Sequence, residues 1–243
     1  MLGARSYWEE SRSHRYSLVF ALPLLLAYEA LEAAAPVRLQ GGVVRNGADV
    51  ILTGLFTSLF GPRGPMIFMA LVIGGAIALI WRDRRTGPIR PSYFVVMLAE
   101  SAVLAVLFGI VVGVATVQLL GPLRSLSAAA PGLGGTALQR LTLSLGAGLY
   151  EELLFRVVLV ALISNAVRLI GFSRITAGVA AVVIGAVLFS LFHYVGGLGE
   201  RFRLDSFVFR TIAGLAFSAL YLTRGFGITA WTHALYDIAV LLG

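Results

Sequence analysis

Three clusters of ionisable residues interrupt stretches that are otherwise apolar: Tyr150-Glu151-Glu152-Leu153-Leu154-Phe155-Arg156, Phe189-Ser190-Leu191-Phe192-His193 and His233-Ala234-Leu235-Tyr236-Asp237. The chain has three histidines, and two of them fall in these clusters. Hydrolysis of a peptide bond needs a base that takes a proton from water, a group that positions that water, and donors aimed at the developing oxyanion. One glutamate, two imidazoles and a further polar group can supply all three. Helical spacing also separates the two glutamates. Glu152 and Arg156 are four apart and share a face, so Glu152 can be neutralised within its own helix, whereas Glu151 points about 100° away and must find partners elsewhere. An unpaired carboxylate of that kind suits proton exchange. His233 and Asp237, again four apart, project to one side of one helix, where the carboxylate fixes the imidazole's tautomer or keeps it protonated.

The elements that must position these residues are membrane helices. Hydrophobic residues make up 58% of the sequence and charged residues 13%, about half the ~25% of soluble domains, and the mean hydropathy is +0.90. A soluble core cannot absorb that much apolar surface, so a water-soluble enzyme is excluded. Apolar segments run over Tyr16 to Ala35, Ala48 to Phe60, Met66 to Trp81, Tyr93 to Gly121, Gln139 to Leu169, Thr176 to Tyr194, Phe207 to Thr223 and Ile228 to Leu242. The expected fold is all-α: a polytopic bundle of about seven to eight transmembrane helices forming one domain over residues 1–243, with the chemistry between 150 and 237. The segment from Ala48 is too short to cross the ~30 Å hydrocarbon layer upright, which predicts a re-entrant or tilted piece. Gly61-Pro62-Arg63-Gly64-Pro65, Arg82-Asp83-Arg84-Arg85, Pro131-Gly132 and Gly196-Gly197 punctuate the segments.

All 19 basic residues are arginine. Most flank apolar segments, where snorkelling to headgroups is cheap, so the positive charge reads as membrane boundary and not as a nucleic-acid surface. The boundary arginines divide almost evenly between the two sides and do not assign an orientation. The apolar run from Tyr16 contains Glu29 and Glu32 and reads as a retained first span, not a cleaved leader. An arginine-only, Ala- and Gly-rich composition points to a bacterial source and an inner-membrane location. There is no cysteine, which removes thiolate nucleophiles, disulfides and Cys-bound metals. No His-Glu-x-x-His zinc motif occurs, leaving only a looser set of Glu151, His193 and His233 as metal ligands. Ser144 and Ser190 lack the Gly-x-Ser context of an intramembrane serine protease, and a two-aspartate site would have to pair Asp237 with Asp205, which sits at a segment boundary. No cofactor or metal is expected.

Each cluster has a plainer reading. Ionisable groups inside a bilayer cost about 2.5–3.5 kcal/mol each on insertion scales, and buried ion pairs that only tie helices together are common outcomes. Glu29, Glu32 and Glu100 are read this way, through snorkelling, protonation or a nearby arginine, and Phe189 alone reads as packing. Three clusters on three helices argue for a site.

The ordered set Glu151-Glu152-x-x-x-Arg156, Phe189-x-x-x-His193 and His233-x-x-x-Asp237 resembles the motifs of the CAAX prenyl protease and bacteriocin-processing family (CPBP, or Abi), which are intramembrane glutamic endopeptidases. The resemblance spans residues 150–237, and residues 1–138 contribute only hydrophobicity to it. It implies a water-filled cavity inside the bundle in which Glu151 is the general base on a water also held by His193. It also implies that His233 and Asp237 stabilise the oxyanion, with Glu152 and Arg156 supporting the site. The third motif of that family commonly ends in Asn, where this chain has Asp237, and Asp donates a hydrogen bond only when protonated. The implied partners are the lipid bilayer and a membrane-associated protein or peptide substrate, with no nucleic acid. A proton-coupled transporter using Glu151 and His193 as a relay is the competing class, weakened by the lack of repeat symmetry between the halves; a non-catalytic immunity or scaffold protein of the same fold is a third. One geometric problem is visible from sequence. Simple antiparallel spans put His193 at the end of one helix and His233 near the start of another, on opposite membrane faces, which predicts an extended sixth span or a short, tilted seventh.

Overall fold

A computed structural model describes residues 6–36, 38–39, 42–83, 87–121, 136–196 and 199–242; Pro131-Gly132, Arg84-Arg85 and Gly197 lie outside the described residues. Each predicted apolar segment forms a helix. A short α1 (Tyr7–Ser11) precedes α2 (His14–Ala34), α3 (Gly47–Phe60), α4 (Gly64–Arg82) and α5 (Pro91–Leu120). A single long helix follows, beginning as α6 (Ala137–Gly146), passing through π-helical turns at Ala147–Glu151 and Leu153–Leu159, and ending as α7 (Val160–Leu169). Then come α8 (Arg174–Phe192), α9 (Leu204–Arg224) and α10 (Phe226–Leu242). Between α2 and α3, Arg38–Leu39 (β1) pairs antiparallel with Gly42–Val43 (β2).

Local sequence explains where the helices start. Ser13, Asn46, Thr136 and Ser173 each accept a backbone N–H of the first turn that follows, satisfying donors that would otherwise be orphaned. Prolines stand in the first turns of α4 and α5, where the missing N–H is harmless. Five helical stretches are long and apolar enough to cross a membrane: His14–Ala34, Gly47–Arg82, Pro91–Leu120, Arg174–Phe192 and Leu204–Arg224. Within the second of these the chain doubles back at Gly61–Arg63, since the rings of Phe56 and Phe68 meet with centroids 5.3 Å apart. The 14-residue α3, about 21 Å long, is thus one arm of a helical hairpin with α4.

Large apolar side chains stay exposed around the outside, among them Leu71, Ile77, Val106, Ile110 and Ile175. Such a surface is stable when its solvent is hydrocarbon, and the protein is an integral membrane helix bundle. Inside, Leu24, Tyr28, Leu52, Phe68, Leu149, Tyr150, Ala230 and Ala234 join α2, α3, α4, the long helix and α10 in one core. Phe108 and Val112 of α5 pack with Ala213 and Phe217 of α9 in another. Gly148 lets the long helix lie directly on α10, because a Cβ there would run into the Ala230 carbonyl oxygen. That close approach brings the Glu151-Glu152 pair alongside His233.

Candidate active site

The long helix carries Glu151 and Glu152 where its winding loosens to i→i+5 hydrogen bonds, a variation that often marks functional positions. The adjacent glutamates turn to different neighbours. Glu152 is fully buried, with its Oε2 3.1 Å from Arg156 Nε and its Oε1 2.8 Å from His233 Nδ1. The Glu152–Arg156 contact has ion-pair distance without hydrogen-bond alignment, and Arg156 Nε and Nη1 have no hydrogen-bond partner among the described residues. The guanidinium instead lies over the rings of Phe189, 4.5 Å from its centroid, and Phe217, 5.4 Å away. Its Nη2 donates to the Gly214 carbonyl of α9 at 3.4 Å. Phe189 thereby covers a buried cation that would be costly without it.

Glu151 points the other way. Its Oε1 accepts from the Asn46 side-chain amide at 3.0 Å, and its Oε2 lies 4.0 Å from His193 Nε2. His193 caps α8 and places Nδ1 2.9 Å from the Phe189 carbonyl oxygen. A carbonyl only accepts, so the proton sits on Nδ1 and Nε2 is left with a lone pair toward Glu151. Two acceptors 4 Å apart are spaced so that one water can donate to both. On α10, His233 stacks on Phe217 with centroids 4.4 Å apart, and its Nε2 lies 3.7 Å from Asp237 Oδ2. Exposure is graded: the side chains of His193 and Asp237 are 24% and 27% exposed, while Glu151 and His233 are 8% and 6%.

All seven residues singled out from sequence lie in one neighbourhood. The two imidazoles do not touch; the Phe189 ring lies between them, 5.1 Å from His193 and 6.2 Å from His233. Neither geometric solution expected from sequence is the one adopted. The sixth span ends at Phe192, and the seventh, α9, is a full 21 residues. Convergence comes instead from the long helix, which meets α8 at its last turn through Glu151 and α10 two turns from its start through Glu152. Among the described residues no three His, Asp or Glu side chains come together as a metal-ligand set, and Asp205 pairs with Arg203 at the head of α9.

The N-terminal half carries polar side chains of its own beside the site. Arg45, before α3, holds Glu29 through Nη2 at 3.0 Å to each carboxylate oxygen and also Asp49. Tyr150 donates to Glu29 at 2.7 Å and Tyr28 to Asp49 at 2.9 Å. Glu100 pairs with Arg224, while one oxygen of Glu32 is buried without a hydrogen-bond partner among the described residues. Asn46 was the residue missed. Its only sequence signal is a small polar residue just ahead of an apolar helix, which reads as a cap and says nothing of a partner 105 positions away.

Residues 133–239 match the family model described as Rce1-like, type II CAAX prenyl endopeptidase. No curated protein and no solved structure matches the chain. The matched stretch contains all three motifs and agrees with the CAAX protease resemblance read from them. Across residues 133–239, then, this membrane helix bundle is similar to the Rce1-like, type II CAAX prenyl endopeptidase family.

Proposed function

We propose that the protein is an intramembrane endopeptidase of the glutamic type, cutting a peptide bond of a membrane-associated protein or peptide substrate, in a bacterial inner membrane. The observation that carries this reading is the 4.0 Å separation of Glu151 Oε2 and His193 Nε2, two acceptors with room for a shared water. Glu151 takes the proton from that water as its oxygen attacks the scissile carbonyl carbon, and His193 holds the water in line. Glu151 then returns the proton to the leaving nitrogen. The resulting oxyanion falls to the His233 side. His233 donates through Nδ1 to Glu152 and turns Nε2 toward Asp237, which sets this imidazole and the Asp237 carboxyl on the oxyanion's side of the site. Glu152, Arg156 and Phe189 hold His233 and the helices in place.

The test is wild type and Glu151→Gln side by side in proteoliposomes with membrane proteins of the source organism, followed by mass spectrometry of new termini. Gln keeps the shape and cannot act as base. Wild type should cut, and the variant should insert normally and cut at least ~100-fold more slowly. Equal cleavage by both removes Glu151 as the base. A wild type that cuts nothing but moves protons in a Glu151-dependent way replaces the protease with the transporter.

A further inference from the structure

Asn46 is buried at the start of α3, and its amide orientation is fixed by its own helix. The Ala48 backbone N–H donates to the side-chain oxygen at 2.9 Å, so the nitrogen end must be the one facing Glu151 Oε1 at 3.0 Å. Its backbone is held too: the Asn46 N–H donates to Tyr28 Oη at 3.3 Å, and Tyr28 donates onward to Asp49. The Arg45–Glu29–Tyr150 bonds tie this same unit to the residue just before Glu151. Gly146 keeps the approach open, since a Cβ there would sit 2.9 Å from Asn46 Cβ. A donor this constrained does more than cap a helix.

We infer that Asn46 is a positioning residue for Glu151: it engages Oε1 and fixes the carboxylate's rotamer, so that Oε2 is turned toward His193. The inference rests on the reading of Glu151 as the base. Asn46 lies outside the family-matched residues 133–239, so the N-terminal half completes the site. The other groups around Glu151 are accounted for. His193 of α8 presents an acceptor lone pair, with the Glu200–Arg210 pair behind it. Glu152, on the same helix, is committed to Arg156 and His233, and Asp237 of α10 faces His233. Asn46 is therefore the neutral donor set directly on Glu151.

The hold of Asn46 on Glu151 can be read without any substrate. Dicyclohexylcarbodiimide adds to intramembrane carboxyls, faster where no hydrogen bond holds the reacting oxygen, and the adduct is located by peptide mass mapping, with Glu151→Gln confirming the site. The full-length protein is labelled in detergent at fixed neutral pH as wild type, Asn46→Asp, Asn46→Ser and Asn46→Leu. Asp and Ser both keep the α3 cap; Asp lacks the donor, and Ser lacks both the reach and any added charge. The expected result is labelling of Glu151 about tenfold faster or more in both, the effect of losing one charge-assisted hydrogen bond. Labelling at the wild-type rate in Asp and Ser, with change confined to Leu, makes Asn46 a helix cap only and overturns the inference; so does an unchanged rate in all three. Cleavage by the same preparations is scored separately: a wild type that cuts nothing tells against the protease reading and leaves the labelling result legible.

Discussion

Glu152 and His233 share a 2.8 Å contact between Oε1 and Nδ1, and that contact joins the long helix to α10 at a point buried from solvent. The same carboxylate balances Arg156 through its other oxygen. One side chain thus satisfies a cation within its own helix and an imidazole on another. Glu152→Gln removes the charge that both partners depend on, while Glu151→Gln disturbs only Asn46 and His193. Glu152→Gln should lose fold stability and activity together, and Glu151→Gln activity alone. Thermal unfolding in detergent alongside cleavage assays separates the two, and a Glu152→Gln protein as stable as wild type sinks the structural role.

Arg156 is 1% exposed at the side chain and sits between two aromatic rings. Arg156→Ala leaves Glu152 as a buried carboxylate short of its counter-ion, a change expected to cost about 3 kcal/mol or more. Expression and monodispersity should fall along with activity. A normally folded, fully active Arg156→Ala protein would show that the pair is dispensable.

Asp237 lies 3.7 Å from His233 Nε2 and is accessible enough to meet a substrate. Asn there supplies a donor directly, as the resemblance implies for this position, so Asp237→Asn should retain activity within about tenfold. Asp237→Leu, which neither donates nor orients His233, should lose about 100-fold. Equal rates for Leu and wild type would remove Asp237 from the site.

Gly148 tests the helix contact that the site depends on. A methyl group at this position meets the Ala230 carbonyl and Ala234 closer than any real Cβ contact, so Gly148→Ala must push α10 off the long helix. The overpacking cost is about 1–3 kcal/mol, and the displacement should also loosen Glu152 from His233. Unfolding temperature and activity should both drop, and an unperturbed variant would mean that the two helices are not so close.

Hydrolysis by a glutamate-activated water needs no metal. Cleavage in the presence of chelators such as EDTA should match the untreated enzyme. Stoichiometric zinc lost together with activity would favour the looser ligand set of Glu151, His193 and His233.

Much of this was readable along the chain. Apolar length fixed the helices, because a bilayer rewards only segments that satisfy their backbone internally. Four-residue spacing correctly paired Glu152 with Arg156 and placed Asp237 beneath His233, since i and i+4 share a helix face whatever surrounds them. Tertiary structure decided what depends on contacts between distant segments. The i→i+5 winding around Glu151 leaves no periodic trace, and the apposition permitted by Gly148 depends on which helix lies across it. The assignment of His193 to Glu151 and His233 to Glu152 follows from where three helices cross, not from any one of them. Asn46 shows the limit most plainly: its oxygen serves the backbone two residues away and is legible from sequence, while its nitrogen serves a carboxylate that only the packing of α3 against the long helix brings within 3.0 Å.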